Sequence, residues 1–137
     1  MKVVFADADY WIALLNPREK LQSKAREVSS RLGSVRIITT EMVLTEVLNG
    51  LSKGDAKLRK GAADLVGRLR QNPNITIMPQ TSIQFEEARS LYAERGDQAW
   101  SLTDCASFQA MQNQKITEAL TNDRHFVQAG FKALLRD

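Results

Sequence analysis

The sequence predicts an α/β fold, a three-layer α/β/α sandwich around a mostly parallel sheet of about five strands. Three observations lead there. Short apolar runs at Val3–Ala6, Val35–Ile38, Ile75–Met78, Ile116–Leu120 and Phe131–Leu135 have the length of strands buried on both faces. The segments between them carry apolar residues three and four apart, the helical period. The two kinds of segment alternate along the chain, and strands joined through helices build parallel sheets with right-handed crossovers. With 137 residues and no linker or repeat, the chain is expected to form one domain spanning 1–137.

Each element has a local reason. Val3–Ala6 ends at Asp7-Ala8-Asp9, which reads as a loop opening from the first strand. Tyr10–Leu15 is a short helix stopped at Asn16-Pro17, because proline disfavours helical backbone in the residue before it. Leu21, Ala25, Val28 and Leu32 form the inner face of a second helix that Gly33 stops. After the strand at Val35–Ile38, Thr39 and Thr40 supply an N-cap for a helix bearing Val43, Leu44, Val47, Leu48 and Leu51 on one face. Gly50 and Gly54 mark its end. The next helix runs from about Asp55 to Arg70 and closes at Asn72-Pro73.

Beyond the strand at Ile75–Met78, Thr81 with Gln84 forms a capping-box pattern before a face of Phe85, Ala88, Leu91 and Tyr92, and Gly96 ends that helix. Ser101 with Asp104 repeats the pattern before Cys105, Phe108 and Met111. Asn122-Asp123 starts a brief helix between the last two strands.

Composition narrows the function classes. Hydrophobic residues make up 43% and charged residues 26%, with three prolines and seven glycines, which excludes disorder and collagen-like structure. The longest apolar run, Tyr10 to Leu15, is far below the roughly 18 residues of a membrane span, and Asp7 interrupts the apolar start that a secretory signal would need. No membrane association and a cytoplasmic location are the expectations. One cysteine and one histidine permit neither a disulfide nor a Cys/His zinc set, so any metal would be held by carboxylates.

The placement of the acids is therefore what matters. In an open parallel sheet, ligands bind outside the carboxyl ends of the strands where strand order reverses. Asp7 follows the first strand and Asp123 the fourth, so both project from that edge if the two strands are neighbours. Asp104 opens the helix leading into the fourth strand, and Glu46 lies on the flank of the helix after the second, beside its apolar stripe. Each has a plainer reading. Asp104 and Asp123 suit helix caps, and a flank glutamate suits solvent. Asp7 is harder to explain structurally, because an acid directly after a buried strand costs desolvation.

Taken in order, these segments resemble the PIN domain family, in particular its small VapC-type ribonuclease toxins. Val3-Val4-Phe5-Ala6-Asp7-Ala8-Asp9-Tyr10-Trp11 is similar to the first strand, first acid and following helix of that family. Thr45-Glu46-Val47-Leu48-Asn49-Gly50 is similar to its second acidic motif, and Ser101-Leu102-Thr103-Asp104-Cys105-Ala106 to its third. Leu120-Thr121-Asn122-Asp123-Arg124-His125-Phe126, followed by Gly130-Phe131, is similar to its fourth. The family usually has asparagine or serine two places after the first acid, where this chain has Asp9. That residue ranks below the four, as an additional acid or a turn residue.

The resemblance implies a metal-dependent endoribonuclease acting on RNA, with Asp7, Glu46, Asp104 and Asp123 as catalytic and metal-binding residues. The implied cofactor is Mg²⁺ or Mn²⁺, with Glu46 as ligand or as orienter of the attacking water. It also implies a homodimer and a cognate antitoxin protein. Chemistry agrees with the metal, since crowded carboxylates repel unless a divalent cation neutralises them.

Two other functions compete. Asp7-x-Asp9 after a strand suggests a haloacid-dehalogenase-type phosphatase, although Trp11 stands where that family has threonine or valine. A PIN-like module that binds RNA or protein without cutting is the third reading. The remaining candidates read mainly as structure: Thr103, Thr121 and Asn122 as caps, His125 as a surface or half-buried histidine, and Cys105, Trp11 and Trp100 as core. Lys53 to Arg70 holds six bases against Asp55 and Asp64, either a solvated helix face or a phosphate track joined by Arg18, Lys20, Arg95 and Arg124. The net charge is only +3, but without the four site acids the other ionisable residues are nineteen bases against twelve acids. The modest total thus conceals an acidic cluster within a basic surface.

Overall fold

The computed structural model describes residues 1–136. Five strands, β1 (Lys2–Ala6), β2 (Val35–Thr40), β3 (Ile75–Met78), β4 (Glu118–Leu120) and β5 (Lys132–Ala133), form one sheet in the order β3-β2-β1-β4-β5. Every neighbouring pair is parallel. The helices are α1 (Ala8–Leu15), α2 (Gln22–Leu32), α3 (Glu41–Gly50), α4 (Ala56–Gln71), α5 (Ser82–Glu94), α6 (Leu102–Asn113) and α7 (Arg124–Gln128).

The chain leaves β1 toward β2 and β3, then returns across the sheet to β4 and β5. Right-handed crossovers consequently put α1 to α4 on one face and α5 to α7 on the other. The packing agrees, with α1 against α2, α3 and α4, and α6 against α5 and α7. This is the three-layer α/β/α sandwich. Strand order reverses between β1 and β4, where Phe5 pairs with Ala119 and Ala6 with Leu120. That junction fixes where a ligand belongs.

Aromatic packing anchors the α6–α7 side. Phe108 is buried with its ring edge-on to Trp100 and to Phe126, each at 4.9 Å between centroids. On the other face Trp11 is buried and donates its indole N–H to Thr39 Oγ1, which itself donates to the Ala6 carbonyl. Both tryptophans and Cys105 are core residues, and burial pushes the Cys105 thiol up, as does the nearby Asp104. No helix among the described residues is long and apolar enough to cross a membrane.

Several element boundaries differ from expectation, each for a visible reason. Asp7-Ala8-Asp9 is no loop: α1 starts at Ala8 with Asp7 in the extended N-cap conformation, so Asp9 sits in the first helical turn. Of the two threonines ahead of α3, Thr40 makes the cap by accepting from the Val43 N–H, while Thr39 turns into the sheet. The fourth and fifth strands are shorter than their apolar runs. Ile116 and Leu135 are buried without joining the ladder. Phe85 and Tyr92 remain 40% and 55% exposed, because α5 packs mainly on α6 and only Ala88 of its face is fully covered.

Candidate metal centre

Asp7 stands one residue past the end of β1, with its backbone N–H bonded to the Leu120 carbonyl at 3.2 Å. The parallel register therefore sets it beside Thr121 at the end of β4. Thr121 is fully buried, and its hydroxyl donates to Asp7 Oδ2 at 2.9 Å and lies 3.4 Å from Asp9 Oδ2. The same oxygen accepts the Asp123 N–H at 3.1 Å. Asp9 Oδ2 in turn accepts the Asn122 N–H at 2.7 Å. Two acids of α1 are thus tied to the loop that carries a third.

Asp104 caps its helix and lines the cleft as well. Its carboxylate closes the α6 capping box, accepting from the Ser101 N–H at 3.0 Å while Ser101 Oγ accepts the Asp104 N–H. It also lines the same cleft as Asp7, Asp9, Glu46, Asp123 and His125, a space of about 550 Å³. Asp123 caps α7 by accepting the His125 N–H at 2.9 Å. Glu46 extends into the cleft from α3 as an exposed residue. All four acids expected at the site therefore meet in one cavity, and Asp9 joins them.

No lysine or arginine lines this cleft. Its acids repel one another and most are at least partly buried, which disfavours charge. Burial, and then the adjacent Asp9, pushes the Asp7 carboxyl up to about 8. Burial likewise raises Asp9 to about 6 against the opposing hydrogen bonds from Asn122 and Thr121. Glu46 is raised by partial burial first and then by the charge of Asp104, with the Thr103 hydroxyl acting in the opposite direction. Asp9 Oδ1 is buried with no hydrogen-bond partner. An orphaned carboxylate oxygen among uncompensated acids is the donor set that a hard divalent cation satisfies. The residues present fit such an ion.

His125 is half-buried, one of the two settings expected for it, and it faces two of the acids. Its Nδ1 lies 2.9 Å from Asp104 Oδ2 and 3.4 Å from Asp123 Oδ1. Sequence order gave no hint, because α6 and α7 are separated by β4. Thr121, expected as a cap, is instead the hydroxyl that joins the β1 and β4 acids.

The PIN domain family matches residues 4–132, a span that includes every acid of the cleft. The chain belongs to the PIN domain family. Among solved structures, Mycobacterium tuberculosis VapC20, described as a sarcin–ricin-loop-cleaving toxin, superposes with a TM-score of 0.82 at 22% identity. The match covers 93% of this chain and 95% of that one. FitAcB from Neisseria gonorrhoeae superposes with a TM-score of 0.63 at 17% identity, over 95% and 94% of the two chains. At these identities the likeness is one of fold. No curated protein matches. For a PIN domain the reading at family level is a nuclease, and the dehalogenase-type phosphatase suggested by Asp7-x-Asp9 is set aside.

Proposed function

We propose that this PIN domain is a divalent-metal-dependent endoribonuclease that hydrolyses RNA phosphodiester bonds, acting as the toxin of a toxin–antitoxin pair. One observation carries the reading: five carboxylates from four separate stretches of chain converge in a cleft that no lysine or arginine lines. Asp7, Asp104 and Asp123 hold Mg²⁺ or Mn²⁺, and Glu46 serves as a further ligand or orients the attacking water. When bound, the cation supplies Lewis-acid stabilisation of the phosphate and makes water a better nucleophile at neutral pH. Thr121, Ser101 and the His125 N–H each fix one oxygen of an acid, leaving little freedom to reorganise during reaction. Glu46, an exposed residue with its carboxyl raised, accepts the proton released by the attacking water.

The test is incubation with a sarcin–ricin stem-loop and with unstructured RNA, in Mg²⁺, in Mn²⁺ and in EDTA. Cleavage with either ion and none with chelator is expected. Binding without cleavage in both ions would favour the non-cleaving module instead.

RNA phosphates need cations, and the cleft has none of its own. Arg18, Lys57 and Lys60 line a separate groove of about 610 Å³ between the end of α1 and the start of α4. Lys60 is paired with Asp64, whereas Arg18 and Lys57 have no acidic partner among the described residues. For an uncleaved RNA, affinity is expected to fall linearly on a log–log plot against salt. Lys57→Ala should reduce that slope by about 0.7, the share of one single-strand phosphate contact. An unchanged slope would remove the groove from the RNA path. The acidic cleft also suits an antitoxin that inserts a cationic side chain into it.

A further inference from the structure

We propose that His125 is a nitrogen ligand of the metal centre, and that it biases the site toward Mn²⁺ over Mg²⁺. This rests on the reading of the cleft as a divalent-metal site and adds to it a donor of a different chemical kind. Asp104, Asp123 and His125 each offer a ligand atom, and the three atoms lie within 4.8 Å of one another. The nitrogen is 2.9 Å from one carboxylate oxygen and 3.4 Å from the other. Adjacent donors around a cation held at about 2.1 Å are separated by roughly 3 Å, so the hydrogen-bonded donors already stand at spacings that an ion between them would need.

Local structure explains why the ring is there. Asp123 caps α7 through the His125 N–H, which holds the two residues on the same side of the first turn. Packing of α6 on α7 through Phe108 and Phe126 brings that turn to Asp104. On the far side of the ring, no described residue hydrogen-bonds Nε2. Without a cation Nδ1 donates to Asp104; an ion would displace that proton to Nε2 and take up the Nδ1 lone pair. Imidazole suits first-row transition ions, whereas Mg²⁺ prefers an all-oxygen shell. A histidine that only orients Asp104 would support both ions alike.

Because the chain has a single histidine, spectroscopy can read it without ambiguity. Electron spin echo envelope modulation of the Mn²⁺-loaded protein is expected to contain an imidazole nitrogen coupling, absent from His125→Gln. By calorimetry, that variant should bind Mn²⁺ about tenfold more weakly and Mg²⁺ within about twofold of the unmodified protein. Tight Mn²⁺ binding without the nitrogen coupling, or equal losses for the two ions, would overturn the assignment while leaving the carboxylate site standing. Failure of the unmodified protein to bind either ion would overturn the metal centre and this inference together.

Discussion

Asp7→Asn is expected to reduce RNA cleavage by roughly a thousandfold, the upper end of what losing one electrostatic contact at a reacting centre costs, while raising the melting temperature of the metal-free protein. The two effects share a cause. Asp7 is 7% exposed, and its charge is opposed by burial and by Asp9. Asparagine keeps the shape and an oxygen to accept the Thr121 hydroxyl, but carries no charge. Relief of that charge stabilises the fold and removes the ligand. Cleavage assays with Mn²⁺ and thermal melts in EDTA, both at pH 8, measure the two sides. Full activity in the variant would end Asp7's assignment to the centre, and a lower melting temperature would recast it as a structural acid.

The second large effect concerns pH. Asp7 and Asp9 lose their protons at about 8 and about 6 in the fold, against 3.8 in the unfolded chain. Between those limits the folded protein binds more protons than the unfolded one, so metal-free stability falls as pH rises from about 4 toward 8. One pKa unit corresponds to about 1.4 kcal/mol, so the loss amounts to several kcal/mol. Glu41 and Asp97 work in the opposite sense. Glu41 is held low by the Gln80 N–H and then Arg70, and Asp97 by Arg95, so their contribution is lost only in more acid solution.

A cation in the cleft offsets the repulsion, and it must displace the same protons to enter. The increase in melting temperature on adding Mn²⁺ should therefore be small at pH 5 and large at pH 8. Melts at pH 5, 6.5 and 8 in EDTA and in Mn²⁺ provide the comparison. Equal increments at the three pH values would mean that the ion binds elsewhere.

What could be read from the sequence follows from how local each signal is. Alternating apolar runs and capping patterns act over a few residues, so the strands, Thr81 with Gln84 and Ser101 with Asp104 were all visible in the linear chain. The capping box at Asp104 also shows why a local reading can be correct and incomplete. One carboxylate closes the box and faces the cleft at once. The place of Asp9 in the cleft was not legible, because the helix begins two residues earlier than its apolar periodicity and its partner Asn122 lies 113 residues away. His125 was missed for the same reason, since its neighbour Asp104 belongs to an element on the other side of a strand. Exposure of Phe85 and Tyr92 depends on what α5 lacks above it, which helical period does not encode.

The Thr121 hydroxyl joins residues 114 positions apart, and that separation imposes a chronology. A ribosome completes β1 well before β4, at about 5–20 residues per second. Throughout that interval the nascent chain displays Asp7 without Thr121, Asp123 or His125. The acidic cleft is thus assembled only when β4 docks beside β1, and a truncated product that stops before β4 contains the first acid but not the last.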